Sequence, residues 1–252
     1  MAPSSRSLDR YDTIGVGYGT HRRPDPRWAA QINAAIGDAR RVVNVGAGAG
    51  SYEPTDRFVV AVEPSPVMLD QHPGSRRVRG AAERLPFGDG QFDVAMAILT
   101  VHHWTDLDAG LRELRRVARR QVILTFDHEI ESGFWLSEYV PAMQSRDHSW
   151  SAPLDRVMKR LETDHVEVVR VPHDCVDGVM AAYWRRPERY LDPEVRANIS
   201  GLALLSDRDI EPGMHRLAAD LESGAWHDRH RDLLELDECD VGYRLVVAGQ
   251  RA

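Results

Sequence analysis

Three glycines and one acid in the first quarter of the sequence have the types and the spacing of a nucleotide-binding site. Gly46, Gly48 and Gly50 follow one another as G-x-G-x-G, and Glu63 comes 17 residues after Gly46. Glycine allows a positive φ and lets a ligand lie against the backbone, and a carboxylate can accept hydrogen bonds from both hydroxyls of a ribose. Glycines alone also occur in tight turns that bind nothing, and this motif is one residue shorter than the G-x-G-x-x-G of nicotinamide sites.

Two short apolar segments must position these residues. Val42–Val45 leads into the glycines, and Phe58–Val62 ends at Glu63. Apolar runs of this length, bounded by turn residues, predict short buried strands. Open α/β sheets bind ligands at the carboxyl ends of their strands, and both the glycines and Glu63 fall at such ends. The sequence therefore predicts that the turn and the acid border one site.

Two further segments complete a series of four motifs. Residues 80–87 read GAAERLPF, and residues 91–104 read QFDVAMAILTVHHW. With the glycine turn and the strand that ends at Glu63, they resemble the class I S-adenosylmethionine (SAM) methyltransferases, of the ubiquinone/menaquinone and small-molecule branch. The resemblance covers roughly residues 10 to 127, with the four motifs in the family's order and spacing.

The resemblance implies that SAM is the cofactor, with no metal. The glycine turn would pass along SAM, the acid would hold the ribose, and the turns after the third and fourth strands would border the adenine and the methionine. An N-terminal aromatic segment would fold over SAM as a lid, although a surface arm packed on the body is the alternative. The implied contacts are Tyr11, Tyr18, Arg22, Gly46, Ala47, Gly48, Gly50, Glu63, Pro64, Ala82, Glu83, Leu99 and Thr100.

Two positions depart from the family's pattern. Asn44 stands where many relatives carry an acid, so one charge near the methionine ammonium is missing. Ala81 stands where many relatives have an aspartate that holds the adenine amino group. The backbone contacts of the site remain in both cases.

Histidines at the ends of two predicted strands are the candidate bases. SAM carries its methyl group on a sulfonium, and the thioether that departs is a good leaving group. A base is therefore needed only when the nucleophile is a hydroxyl or an acidic C–H. Histidine suits that role near neutral pH. His102 and His103 follow the fourth strand, where we expect at most one to reach the site, and His128 follows the fifth. The alternative is a structural role, in capping or in packing on Trp104.

A distal segment mixes aromatic and guanidinium groups. Residues 182–190 read AYWRRPERY, with Arg185 near the centre. Arginine binds carboxylate, sulfate or phosphate through two parallel hydrogen bonds, while aromatic rings cover an apolar body. We interpret the segment as a substrate clamp. For each residue taken singly, a solvated helix end with core aromatics is the alternative.

Strand and helix alternate along the chain, which predicts a parallel sheet with right-handed crossovers. The resemblance implies an α/β Rossmann-like class I methyltransferase fold, with a seven-stranded, mostly parallel sheet, an antiparallel edge strand and a helical insertion that builds the substrate chamber. The expected organisation is an arm and leading helix over 1–40, a SAM-binding core over 41–128, mainly helical chamber segments over 129–236 with one core strand near 166–171, and a final strand within 237–252.

The composition argues against two classes of binding partner. The formal net charge of −7 argues against a nucleic acid or an anionic membrane. No apolar run reaches the ~20 residues of a membrane helix, and residues 1–10 lack the apolar region of a signal peptide. We therefore expect a cytoplasmic enzyme whose two cysteines stay reduced.

We expect SAM-dependent methyl transfer to a polar or anionic small molecule, in specialised metabolism such as antibiotic biosynthesis. The alternative is an enzyme on the same fold that does not methylate and instead catalyses elimination, for example of sulfate, or ring closure. A non-catalytic subunit is a third interpretation. The sequence is compatible with a homodimer or with a small partner protein.

Overall fold

A computed structural model describes residues 23–143 and 152–250, and one large sheet organises this part of the chain. Seven strands form that sheet, and two more pair as a separate ribbon. In chain order the strands are β1 (Arg41–Val45), β2 (Phe58–Glu63), β3 (Arg77–Arg79), β4 (Phe92–Ile98), β5 (Ala118–Phe126), β6 (Val166–Val168), β7 (Val171–Pro172), β8 (Glu238–Cys239) and β9 (Tyr243–Gly249).

The large sheet has the order β3-β2-β1-β4-β5-β9-β6. The five strands from β3 to β5 are parallel, and β9 runs antiparallel to both β5 and β6. This confirms the predicted seven-stranded, mostly parallel sheet. The antiparallel strand lies one place in from the edge, and the short β6 closes the sheet. Parallel order brings the carboxyl ends of β1, β2, β4 and β5 to one edge, where the predicted site residues lie.

Helices cover both faces of the sheet. In chain order they are α1 (Pro26–Ile36), α2 (Pro66–Gln71), α3 (Leu107–Val117), α4 (His128–Ser132), α5 (Leu136–Tyr139), α6 (Leu154–Leu161), α7 (Pro193–Ala197), α8 (Ser200–Ala203), α9 (Asp207–Ser223), α10 (Ala225–Arg229) and α11 (Arg231–Leu234). Short 3-10 turns at Val101–His103, Pro141–Met143 and Pro187–Leu191 connect some of them.

Alternate residues of the central strands face two separate hydrophobic cores. Val42 and Met96 belong to the core that contains Trp28 of α1. Val43 and Ala95 belong to the opposite core, which α3 and α6 complete. Parallel strands buried on both faces read as nearly continuous apolar runs, which explains why these strands were predictable.

The C-terminal helices pack around buried aromatic side chains. Trp135 lies edge-to-face against Tyr190 and Trp226, with ring centroids 5.5 and 5.2 Å apart. Trp135 Nε1 donates to Trp184 O over 2.9 Å, and Trp184 Nε1 donates to Val171 O over 3.0 Å. These rings belong to the same core as α1. The C-terminal helices therefore share one hydrophobic core with the sheet.

Two predicted elements differ in the structure. The strand expected near 166–171 is interrupted between Val168 and Val171, because Trp28 Nε1 donates to Arg170 O and takes this carbonyl out of the strand ladder. Residues 174–186, expected to be helical, form turns and bends. Within the described ranges, no helix has the length and apolar character needed to cross a membrane.

Candidate functional site

The glycine turn lies at the carboxyl end of β1, beside β2. Gly46, Gly48 and Gly50 have φ values of 73°, 53° and 86°, which side-chain-bearing residues rarely adopt. The amides of Gly46 and Ala47 both donate to Val62 O, over 2.8 and 3.0 Å, and fasten the turn to the end of β2. Residues 46–57 then form turns and bends, so the expected alternation of strand and helix fails here.

Thr100 packs directly on the glycine turn. A Cβ on Gly46 would lie 2.8 Å from Cβ and Cγ2 of Thr100, and closer still to its Oγ1. Gly46 is therefore required for two reasons: the turn needs a positive φ at this position, and any side chain would clash with Thr100. The contact joins the ends of β1 and β4, and it places the predicted site residue Thr100 against the turn.

Backbone strain accumulates beside this turn. Leu99, just after β4, has a φ of 51°, and Tyr52, two residues after Gly50, has a φ of 63°. Left-handed conformations cost residues with a Cβ roughly 1–2 kcal/mol each. Leu99 N donates to Leu124 O over 2.8 Å, which holds the chain as it bends toward Thr100 and the turn at Val101–His103. Such outliers cluster at functional sites.

Glu63 at the end of β2 is buried, with 7 % of its surface exposed. One carboxylate oxygen accepts from Gly48 N over 2.9 Å, and the other accepts from Ser65 N over 3.0 Å. Burial raises the pKa of the Glu63 carboxyl, against the effect of both hydrogen bonds. Each oxygen accepts one described bond and can accept another, so the carboxylate retains capacity for two hydroxyls.

The turn after β3 lies near the same edge. Gly80 N donates to Glu63 O over 3.3 Å, and Ala82 beyond it is buried. One oxygen of Glu83 accepts from the amides of Thr105 and Asp106 and from the Thr105 hydroxyl, which ties this turn to the start of α3. The expected adenine contacts of Ala82 and Glu83 stay predictions.

A polar network beneath the glycine turn was missed by sequence reasoning. Glu53 Oε1 accepts from Asn44 Nδ2 over 2.9 Å and lies 3.0 Å from His72 Nε2. Gly74 N donates to His72 Nδ1, so His72 presents Nε2–H to Glu53. This hydrogen bond raises the pKa of His72. A Cβ on Gly50 would lie 2.9 Å from His72 Nε2, so the network supports the turn directly.

The three candidate histidines converge at the ends of β4 and β5. The ring centroids of His102 and His103 are 3.8 Å apart. Phe126 lies between His102 and His128, with centroid distances of 4.9 and 4.7 Å. The structure thus assembles one aromatic and imidazole cluster from two strand ends.

His128 has the surroundings of a base. Its Nδ1 lies 3.3 Å from a carboxylate oxygen of Glu131, one helical turn further along α4. Its Nε2 is buried and has no hydrogen-bond partner among the described residues. A proton held on Nδ1 by Glu131 leaves a lone pair on Nε2. Asp127, which precedes His128 in the sequence, caps α4 by accepting from Glu129 N over 3.1 Å.

The distal arginine segment contacts backbone carbonyls. Arg185 donates to Leu236 O over 2.7 Å, and Arg186 donates to the carbonyls of Cys175 and Ala182. Trp184, which directly precedes Arg185, is fully buried. The role of Arg185 toward an acceptor stays a prediction.

The predicted lid residues Tyr11, Tyr18 and Arg22 lie outside the described residues. Pro64, which follows Glu63, accepts at its carbonyl from Arg79 Nε over 3.3 Å. Within residues 23–143 and 152–250, no group of three or more His, Cys, Asp and Glu side chains could hold a metal ion.

Comparisons with known proteins agree with this geometry. Residues 43–126 match the family model described as a methyltransferase domain. A crystal structure from Anabaena variabilis, of a candidate methyltransferase from an antibiotic biosynthesis pathway, is 34 % identical, covers 91 % of this chain and 99 % of its own, and superposes with a TM-score of 0.83.

Curated relatives match over shorter ranges. The uncharacterized methyltransferase YcgJ of Bacillus subtilis is 32 % identical over 114 residues, which is 40 % of this chain and 45 % of YcgJ. The demethylmenaquinone methyltransferase of Deinococcus radiodurans is 31 % identical over 143 residues, which is 50 % of this chain and 57 % of that protein. The chain thus spans about half the length of these curated relatives. Because it matches the Anabaena protein in sequence and fold over 91 % of its own length, this protein belongs to the class I SAM-dependent methyltransferases.

Proposed function

We propose that this protein transfers the methyl group of SAM to a small organic acceptor with polar or anionic groups. The observation that carries the proposal is the contact between Glu63 and Gly48 N across the glycine turn. It places a buried carboxylate with spare acceptor capacity beside a backbone that has no side chains in the way. A ribose with two free hydroxyls fits both features.

The residues of this chain then have separate tasks. When bound, SAM supplies a methyl group on a sulfonium. Positioning of the acceptor can lower the activation barrier by ~7–11 kcal/mol. Glu63 holds the cofactor's hydroxyls, while Leu99 and Thr100 shape the end of β4. At Nε2, His128 accepts the proton of an acceptor hydroxyl or acidic carbon. This general-base step raises the reaction rate about 10²–10⁴-fold.

The acceptor is a small molecule of specialised metabolism in this proposal. The Anabaena protein, similar over nearly the whole chain, is described as coming from an antibiotic biosynthesis pathway. The relative from Deinococcus is a demethylmenaquinone methyltransferase, whose name also points to a small acceptor. The formal net charge of −7 disfavours nucleic acid.

The direct test combines binding and transfer. We expect calorimetry to show SAM binding, and incubation with methyl-labelled SAM and a panel of phenols and carboxylic acids to give a product with one added methyl group and S-adenosylhomocysteine. SAM binding without transfer to any member of a broad panel would favour the non-methylating alternative. A chain that binds neither SAM nor S-adenosylhomocysteine would refute the proposal.

Glu63→Ala should weaken SAM binding about 10- to 100-fold, because a charge-assisted hydrogen bond contributes ~1.5–3 kcal/mol. Calorimetric titration with SAM measures the change, and far-UV circular dichroism reports whether the variant is folded. Glu162→Ala is the matched control, since its side chain is 71 % exposed and pairs with Arg115 on the surface. Unchanged affinity in folded Glu63→Ala would refute the role of Glu63.

A further inference from the structure

A buried tyrosine anchors the chain where it leaves the glycine turn. Tyr52, two residues after Gly50, is 4 % exposed and has a φ of 63°. The left-handed conformation costs a residue with a Cβ free energy that its contacts must offset. The Tyr52 ring centroid lies 6.3 Å from that of Trp28 in α1, within the same hydrophobic core. The backbone of Tyr52 therefore belongs to the end of the turn, while its side chain belongs to the core.

The Tyr52 hydroxyl connects two segments that are distant in the sequence. It donates to Asp177 Oδ2 over 2.7 Å and accepts from Asp25 N over 3.2 Å. Both aspartates are buried. Asp25, the N-cap of α1, also accepts from Val176 N over 3.3 Å. Because a hydrogen bond to a carboxylate is stronger than one between neutral groups, the bond to Asp177 can hold Tyr52 against its backbone strain.

We propose that Tyr52 is a positioning residue, which holds the glycine turn in its SAM-binding conformation through the hydrogen bond to Asp177. The strain at Tyr52 favours a relaxed backbone, and the bond opposes that relaxation. A shift of Tyr52 would displace Gly50 before it and Glu53 after it, and Glu53 accepts from Asn44 in β1. The inference rests on the proposed function, because it takes SAM as the ligand of the turn.

The anchor also relates the turn to the C-terminal part of the chain. Asp177 lies within residues 174–186, whose last two members are arginines of the segment that we interpret as a substrate clamp. Arg186 donates to Cys175 O over 2.8 Å, two residues before Asp177. The bond from Tyr52 to Asp177 thus fixes the glycine turn relative to this segment.

Calorimetry with S-adenosylhomocysteine, on wild type and on Tyr52→Phe, measures the effect of the hydroxyl. Phenylalanine keeps the ring beside Trp28 and loses only the hydrogen bonds. The fraction of molecules with a competent turn should then fall, which raises Kd about 5- to 30-fold. At saturating SAM the ligand restores the turn, so the KM for SAM should rise by a similar factor with kcat nearly unchanged. A merely structural role would lower stability and leave Kd as in wild type.

Tyr139→Phe is the matched control. Tyr139 is also 4 % exposed, and its hydroxyl also donates to a carboxylate over 2.7 Å, in this case that of Asp220. This bond joins helix α5 to helix α9 and does not involve the turn. We expect Tyr139→Phe to lose stability, as Tyr52→Phe does, and to bind S-adenosylhomocysteine with the wild-type Kd.

A change at Asp177 tests the same bond from its other side. Asp177→Leu keeps a side chain of similar size that cannot accept a hydrogen bond, and it should raise Kd about as much as Tyr52→Phe. The double variant should bind no more weakly than either single variant, because all three lose one and the same bond. Effects on Kd that multiply in the double variant would contradict the proposal.

Hydrogen–deuterium exchange of the ligand-free protein separates this inference from the proposed function. Residues 46–57 should exchange faster in Tyr52→Phe than in wild type, and Tyr139→Phe should not show this change. An unchanged Kd in folded Tyr52→Phe overturns the role of Tyr52 and leaves SAM binding intact. Wild type that binds neither SAM nor S-adenosylhomocysteine overturns both proposals. If Tyr52→Phe fails to fold, the Kd of Asp177→Leu decides.

Discussion

Gly46→Ala is expected to lower the free energy of unfolding by about 2–4 kcal/mol and to abolish measurable SAM binding. The added Cβ would lie 2.8 Å from both Cβ and Cγ2 of Thr100, so no rotation of the Thr100 side chain removes the clash. Overpacking of this kind costs typically 1–3 kcal/mol, and a φ of 73° adds roughly 1 kcal/mol for alanine. The backbone of the turn must therefore move away from the end of β4.

A second glycine provides the matched control. Gly90 has a φ of 60°, and a Cβ there meets nothing within 4 Å. Gly90→Ala should therefore lose only about 1 kcal/mol, for the conformation alone. Urea denaturation of both variants gives the two free energies, and calorimetry gives SAM affinity. Equal losses at Gly46 and Gly90 would show that the contact with Thr100 does not constrain the turn.

The sheet was predictable because its central strands carry their own signal. Val42–Val45 and Phe92–Ile98 are nearly continuous apolar runs, as strands buried on both faces require. The glycine spacing and the place of Glu63 after such a run located the turn. The missing helix between β1 and β2 was also signalled, since Pro54 and Gly50 punctuate that segment.

The supporting polar contacts could not be predicted in the same way. Glu53 lies 9 residues from Asn44 and 19 from His72, and no periodic pattern relates these separations. The pair of His128 and Glu131 has helical spacing, but a helix of five residues has no clear signal of its own. Nor could the strain at Leu99 be predicted, because a leucine is normally excluded from the left-handed region.

Aromatic side chains posed a different problem. Trp184 lies in the segment that the sequence suggests as a substrate clamp, and Trp135 lies in the helical segments expected to build the chamber, but the structure buries both in the core shared with α1. Large apolar rings serve a core and a ligand chamber equally well, so residue type alone does not reveal which way a side chain faces. Whether helices α4 to α11 also wall an acceptor chamber stays a prediction.

His128→Gln is expected to reduce kcat about 10²- to 10⁴-fold for an acceptor that must lose a proton, with SAM affinity unchanged. Glutamine keeps a polar side chain of similar size, but its amide cannot take up a proton. Glu131→Gln should lower kcat less, because Glu131 holds the ring through Nδ1 rather than reacting itself. The measurements are initial rates across pH with the acceptor found by the transfer assay.

A surface pair tests whether this effect belongs to the site. His165 Nε2 lies 3.1 Å from Glu167, and both side chains are substantially exposed. His165→Gln removes the same chemical group from a similar His–Glu pair outside the cluster, so its kcat should equal that of wild type. A His128→Gln variant with wild-type kcat would exclude His128 as the base. The imidazoles of His102 and His103, which share the cluster around Phe126, would then be the next to substitute.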